Sequence, residues 1–236
     1  MLTVWSRKGV DVKAGKAFVV AALILTVSAA VAGAGGQKRY SLLDSSKLSQ
    51  SAIKRLLSEG QLLLINEDEK GNLRLITGGI LINKPPEDVY KVITDYEHYP
   101  EFMPSVVKAE VLFRSPDKRI QHIRYVVRFK FSILSYTVDY TLKMKVKPPR
   151  WMQWDYLEGD LADAYGSWEL IPLDGGRRTA AFYSVYSDIR SINWIVKKFV
   201  EATPGMEIAI NASTCTLVLK SIKARAEKGP TYRLQQ

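Results

Sequence analysis

The chain has 236 residues, 47% apolar and 25% charged, with a formal net charge of +10, ordinary proportions for one sizeable globular domain with additions. A single cysteine, Cys215, excludes an internal disulfide and argues against a cysteine-based metal site. Two histidines, His98 and His122, leave little for a zinc or non-haem iron centre, so no metal or cofactor is expected.

The N-terminus reads as a leader. Arg7, Lys8, Lys13 and Lys16 form a basic region, residues 17–32 are an uncharged apolar run, and Ala32-Gly33-Ala34 offers small residues for cleavage. This is the three-part pattern of a secretory signal. The run is shorter than the roughly 20 residues of a membrane span, but extending it to Gly36 brings it close. Residues 1–34 are therefore expected to be a cleaved signal or a retained anchor. No cysteine follows the run, which excludes a lipoprotein anchor. The folded part is expected to be periplasmic or secreted, or tethered to the inner membrane. The four basic residues and Asp11 carry +3 of the +10, so the remainder carries +7. Such a surface favours an anionic membrane or acidic partners, and equally describes an ordinary solvated basic face.

Residues 35–71 are expected to be a linker, a helix and an added strand. Residues 42–60 have helical spacing, with Ser45 or Ser46 to cap and Gly60 to stop it. Residues 61–67 and 73–83 read as a hairpin around a turn at 68–72. Pro85 and Pro86 then end the strand and suit a helix start. Glu87 and Asp88 sit where the helix dipole favours negative charge. Val89, Val92, Ile93 and Tyr96 recur at helical spacing. Pro100 and Pro104 stop a long continuation, and 106–113 resumes an extended pattern.

Strand signals follow. Residues 120–131 put Ile123, Tyr125, Val127, Phe129 and Phe131 on one side and His122, Arg124, Arg128 and Lys130 on the other. Residues 134–147 alternate apolar and polar throughout, as a half-buried antiparallel strand does. Residues 151–157, 165–172 and 179–188 are further strands, the last two joined by an Asp174-Gly175-Gly176 turn. Glu158 and Asp160 flank Gly159 in an expected turn. Residues 192–203 are helical, Thr203-Pro204-Gly205 interrupts, and 206–227 forms a long helix with Met206, Ile210, Leu217 and Ile222 broadly on one side. Residues 229–236 are expected to be a polar tail.

The segment 80–112 resembles the opening of the START/polyketide-cyclase superfamily, through Pro85, Val89, Tyr90, Val92, Thr94, Asp95, Tyr96, Pro100, Phe102, Met103 and Pro104. A second similarity lies in Leu157-Glu158-Gly159-Asp160-Leu161 and Gly166-Ser167-Trp168-Glu169-Leu170. Within the superfamily the chain is most similar to the coenzyme-Q-binding, START-like branch. The resemblance implies an α+β helix-grip fold over residues 72–228: a curved antiparallel sheet wrapped around a long C-terminal helix, with a cavity between them. It implies the shape more than the contents.

The alternation nominates the cavity wall. Val127, Phe129, Tyr136, Val138, Tyr140, Leu142 and Met144 come from the central strands, and Trp154, Trp168 and Tyr183 from later ones. Met206, Ile210 and Leu217 close it from the helix, and Phe102 and Met103 sit in the mouth-forming turn. An apolar wall with a few polar tips suits a lipid, an isoprenoid quinone or a sterol- or hopanoid-like ligand, carried or sequestered in the cell envelope. Taken singly, each of these side chains fits an ordinary core more readily than a ligand contact, and the list stands as a set.

Catalytic readings are thinner. Asp95, Glu97 and His98 read as helix-end residues, His122 lies on the solvent side, and Ser213, Thr214 and Cys215 have no histidine nearby in sequence. Two rivals stand beside the carrier reading: a cyclase or dehydratase acting on a polyketide-like substrate in the same cavity, and an interaction module whose core is filled by tryptophans. Trp194, Ile195, Phe199 and Val200 beside Lys197 and Lys198 either rest on an anionic membrane or pack as the first turns of the terminal helix, and packing is the favoured reading. The expected partners are a hydrophobic small molecule and that membrane surface, with no nucleic acid, on a monomer.

Overall fold

In a computed structural model, residues 2–4, 40–131, 134–229 and 231 are described. The leader expected at 1–34 lies outside them except for the backbone of 2–4, and the tail expected at 229–236 lies outside except for 229 and 231. Among the described residues no helix is long and apolar enough to cross a membrane.

The elements in chain order are β1 (Leu2–Val4), α1 (Gln50–Ser58), β2 (Leu62–Glu67), β3 (Leu73–Ile82), α2 (Pro86–Ile93), α3 (Tyr99–Phe102) and β4 (Val106–Arg114). There follow β5 (Ile120–Phe131), β6 (Leu134–Lys147), β7 (Trp151–Gly159), β8 (Ala164–Leu173), β9 (Arg178–Ser187), α4 (Trp194–Ala202) and α5 (Met206–Lys228). Eight strands form one antiparallel sheet in the order β2-β3-β9-β8-β7-β6-β5-β4, and the short β1 pairs with β2 at one edge. The sheet with α5 gripped on its concave side is the α+β helix-grip arrangement.

The strands that follow one another in sequence are neighbours from β4 to β9, so most pairing is local. The exception is decisive. β3 pairs with β9, Gly78 opposite Tyr183, while β4 lies at the far edge. The segment holding α2 and α3 must therefore span the mouth of the curve. Bulges between Val106 and Lys108 and between Val111 and Phe113 on β4, and at Thr141/Leu142 on β6, add local twist to the side that has to bend.

α5 reaches the sheet because Gly78 has no side chain. A Cβ there would lie 2.5 Å from Leu219 Cδ1 and 2.6 Å from Cys215 Sγ. Two further ties hold the helix. Near its start, Asn211 Oδ1 accepts from the Ser187 amide at 3.1 Å. Near its end, Arg225, only 5% exposed, pairs with Glu101 at 3.2 Å and stacks over the Phe102 ring at 4.9 Å. α1 covers the opposite face of the sheet, where Ile53 and Leu57 join Leu43, Leu64, Leu173 and Phe182 in a second core.

Three expectations are corrected. Ser45 and Ser46 do not cap α1: they belong to a separate 3-10 turn, Ser45–Lys47, and Ser49 caps the helix by accepting from the Ala52 amide at 3.2 Å. Gly159 is not in a turn: β7 runs through it, pairing it with Tyr140, and the Asp160 carboxylate accepts from the Asp139 amide at 2.8 Å. The 194–202 helix packs only through Val196 and Val200. Trp194 is 70% exposed, on the side of α4 away from Val196 and Val200.

Gly166 faces Trp154 across the β7–β8 pair, and a Cβ would stand 2.1 Å from the Ser184 carbonyl oxygen and 2.3 Å from the indole ring. Backbone cannot yield cheaply there. Gly166→Ala is expected to cost about 1–3 kcal/mol of stability, read as a lower urea midpoint with an unchanged slope.

Candidate ligand cavity

Between the concave face of the sheet and α5 lies a cavity of about 190 Å3. Its wall is built by strand alternation, since every second residue of a strand faces the same way. β5 supplies Tyr125, Val127 and Phe129; β6 supplies Tyr140, Leu142 and Met144; β7 and β8 supply Met152, Trp154, Ala164 and Trp168; β9 supplies Tyr183 and Val185. α5 closes it with Ile210, Asn211, Thr214, Leu217 and Val218. The segment from α2 to β4 closes one end with Ile93, Tyr96, Tyr99 and Met103.

Eleven of the fifteen residues nominated from sequence line this cavity: Met103, Val127, Phe129, Tyr140, Leu142, Met144, Trp154, Trp168, Tyr183, Ile210 and Leu217. Four do not. Val138 is fully buried core, Phe102 lies under Arg225, and Tyr136 packs with Ile189, Val196 and Val200. Met206 lines a groove of about 640 Å3 that shares Met103, Pro104, Ser105, Val106, Phe129, Ile210, Thr214 and Leu217 with the cavity. That groove is the mouth. Its rim is fastened where the Arg128 amide donates to the Ser105 carbonyl at 2.8 Å.

The sequence nomination misses Tyr125, Tyr96 and Tyr99. Tyr125 stands in the same alternation as Val127 and Phe129, and Tyr96 in the same helical spacing as Val89 and Ile93, so the signal is present for both. Tyr99 follows the end of that spacing, in a turn where no period applies.

Five tyrosines share the cavity wall, and none of them lines the mouth groove. Tyr125 stacks on Tyr140 at 5.8 Å and meets Tyr96 edge-on at 6.4 Å, while Tyr183 stacks on Trp154 at 5.5 Å. Burial raises every one of these phenols above its ordinary value, Tyr140 to about 12, so all five keep their protons. The Tyr99 hydroxyl donates to the Ile93 carbonyl. The Tyr96 hydroxyl has no partner among the described residues. A buried hydroxyl left so costs about 1–3 kcal/mol.

No Asp, Glu, His, Lys or Arg is among the described residues of the wall. The charged groups stand outside: Arg124 bridges Asp139 at 2.5 Å and Glu110 at 3.1 Å on the outer face. Asp95 and His98, 2.6 Å apart, form an exposed pair, and Glu97 is exposed beside them. Among the described residues no cluster of His, Cys, Asp and Glu could hold a metal.

Comparison with known proteins places this geometry in company. A family model described as polyketide cyclase / dehydrase and lipid transport matches residues 82–206. No curated protein sequence matches the chain. Among solved structures, the STAR-related lipid transfer protein of Xanthomonas axonopodis superposes with a TM-score of 0.52 at 17% identity, covering 72% of this chain and 94% of that one. An aromatase/cyclase from a Streptomyces species and a protein of Thermus thermophilus each give 0.49 at 18% identity, with 66% of this chain and 98% of theirs covered.

Cys215 lies between α5 and β3, fully buried against Gly78, and burial pushes its thiol up to about 12. A thiol so held is not a nucleophile at neutral pH. Maleimide labelling is expected to be negligible in the folded protein and complete in denaturant. Labelling of the native state within minutes would show that α5 leaves β3 readily.

Proposed function

The chain belongs to the polyketide cyclase/dehydrase and lipid transport family, within the START/polyketide-cyclase superfamily, and we propose that it binds a hydrophobic small molecule in the cavity under α5 and carries or sequesters it in the cell envelope. One observation carries this reading: a largely apolar cavity, with no ionised side chain on its described wall, that opens through a groove of mixed apolar and polar lining. Burial of apolar ligand surface drives uptake at roughly 25 cal/mol per Å2. Isoprenoid quinones, including coenzyme Q, sterol- or hopanoid-like lipids and fatty-acyl lipids are the candidate cargo.

A cyclase needs groups that move protons. The wall offers only phenols raised by burial and neutral amide and hydroxyl groups, which favours carriage over catalysis. The filled-core rival is met by the 190 Å3 left open although Trp154 and Trp168 already occupy the wall.

The cargo is exchanged at an anionic membrane surface. Trp194 and Ile195 are exposed at 70% and 40% on α4, beside the exposed Lys197 and Lys198. Val196 and Val200 anchor α4 in a cluster that Met206 and Ile210 join, and these two line the mouth groove. The apolar face thus lies next to the opening, with cations to meet lipid phosphates. The leader expected at 1–34 would deliver the domain to the same place.

Native mass spectrometry of protein purified from its own envelope fraction, followed by organic extraction, is expected to show one co-purifying apolar molecule. Met144→Trp is expected to lower its occupancy about tenfold or more, because the indole takes cavity space. An empty protein that binds no quinone, sterol or acyl lipid would reject the carrier reading. Vesicles with anionic lipid are expected to retain the protein in a salt-sensitive way, and Trp194→Glu to weaken that retention. Equal binding to neutral vesicles would reject the charge component.

A further inference from the structure

The excess positive charge of this chain is concentrated in one stretch. Residues 106–150, which make β4, β5, β6 and the turns beside them, hold eleven Lys and Arg against three Asp and Glu, a net of +8. The chain beyond the leader carries +7 in all, so everything else in it nets −1. None of these charged side chains lines the cavity. Strand alternation sends those of the strands to the convex face of the sheet.

One end of that face has cations without acids to meet them. His122 stands opposite Lys143 across β5 and β6, and Lys145 and Lys147 continue the row along β6. The 115–119 and 148–150 turns adjoin here, where the Val146 amide donates to the Arg119 carbonyl at 2.9 Å, and they add Lys118, Arg119 and Arg150, all exposed. The nearby carboxylates are already engaged. Lys108 and Arg124 hold Glu110, and Arg124 holds Asp139. Asp155 accepts from the Tyr40 hydroxyl at 2.8 Å and faces Lys145 at 3.6 Å, and Asp117 accepts from the Ser115 hydroxyl at 2.5 Å. Lys118, Lys143, Lys147 and Arg150 have no ion pair among the described residues. Phe113, 46% exposed, lies 5.0 Å from His122 on the same face. The cluster under α1 covers the other half of the convex face and includes no residue of β4, β5 or β6.

Position separates this patch from the membrane contact of α4. The patch lies where β7 and β9 begin, and β9 runs away from it to Ser187, beyond which α4 starts. Tyr136, packed with Val196 and Val200 of α4, faces the concave side with Val138 and Tyr140. Eleven residues of β6 separate it from Lys147, a run of about 37 Å. That is several Debye lengths at physiological salt. One flat bilayer therefore cannot meet both the α4 face and this patch.

We infer that this end of the convex face docks a second macromolecule, an acidic polypeptide, while the mouth stays free. Lys143, Lys145 and Lys147 repeat at about 7 Å, the spacing of alternate side chains on an extended peptide. Phe113 gives an apolar seat beside them, which a segment with carboxylates and one apolar side chain would fill. Complementary charge sets the choice of partner and speeds its arrival more than it deepens affinity. The docking goes beyond cargo binding and stands whether or not the cavity carries a lipid.

The probe is a fluorescein-labelled peptide, Glu-Ser-Glu-Phe-Glu-Ser-Glu, followed by anisotropy at low salt beside its counterpart with Gln for Glu. The acidic peptide is expected to bind the purified protein at least tenfold more tightly, and to be released as salt approaches 0.5 M. Lys143→Glu with Lys147→Glu is expected to lower its affinity tenfold or more. Both side chains point to solvent, so the circular dichroism spectrum and the cavity occupancy should not change. Lys197→Glu with Lys198→Glu, on α4, is expected to leave peptide binding as it was. Phe113→Ser should weaken it about threefold, a loss that a purely ionic surface would not show. Equal affinity for the two peptides, or an acidic peptide indifferent to the Lys143 and Lys147 changes, would overturn the inference. An oligothymidylate of equal charge, or anionic vesicles, held more tightly than the peptide and lost with the same two changes would overturn the polypeptide assignment in favour of nucleic acid or membrane.

Discussion

The structure depends on how close α5 can come to β3. Gly78 sets that distance, and Cys215 and Leu219 fill the contact. Because α5 is seated hard against one side of a curved sheet, it cannot also touch the strands that curve away. Space must remain under its other flank. The cavity is that remainder, and its wall is whatever β5 to β8 present inward. Asn211 against Ser187 and Arg225 against Glu101 then fix the helix along its length. A side chain at position 78 would have to be accommodated by moving the helix, and the cavity would change shape with it.

This geometry divides α5 into two adjacent stripes. Cys215, Leu219 and Ile222 are buried against the sheet, and Asn211, also buried, lies where the two stripes meet. Ile210, Thr214 and Leu217 look into the cavity and its groove. The sequence offers a single stripe of Met206, Ile210, Leu217 and Ile222, which mixes the two. Hydrophobicity misleads here because the buried residues include Asn211 and Cys215, whose burial is compensated by specific partners rather than by oiliness. Leu217 is 47% exposed for the converse reason: it borders an opening.

Strand alternation is the most legible signal. β6 has the bounds its alternation gives, and the inward residues of β5 and β6 form the wall, with Val138 and Tyr136 drawn instead into neighbouring packing. What alternation cannot express is depth. It ranks Val138 and Tyr140 alike, though one is packed by its neighbours and the other borders open space. Nor does it reach the segment between β3 and β4, whose tyrosines are positioned by turns. The family resemblance rests on that very segment, which is why the fold can be read more fully than the site. Helical spacing places Trp194 inward, since tryptophan is costly to expose, and the structure leaves it in solvent.

The order of the chain has a consequence for its synthesis. Among the described elements α5 is made after the whole sheet, and β9, which joins the two halves of the sheet through β3, comes shortly before it. Until then the aromatic inner face has nothing to cover it. Pairings that bridge about a hundred residues close slowly, and partly formed sheets with bare apolar faces associate with one another. A chain halted before α5 would leave bare the cavity wall that the helix covers in the finished fold.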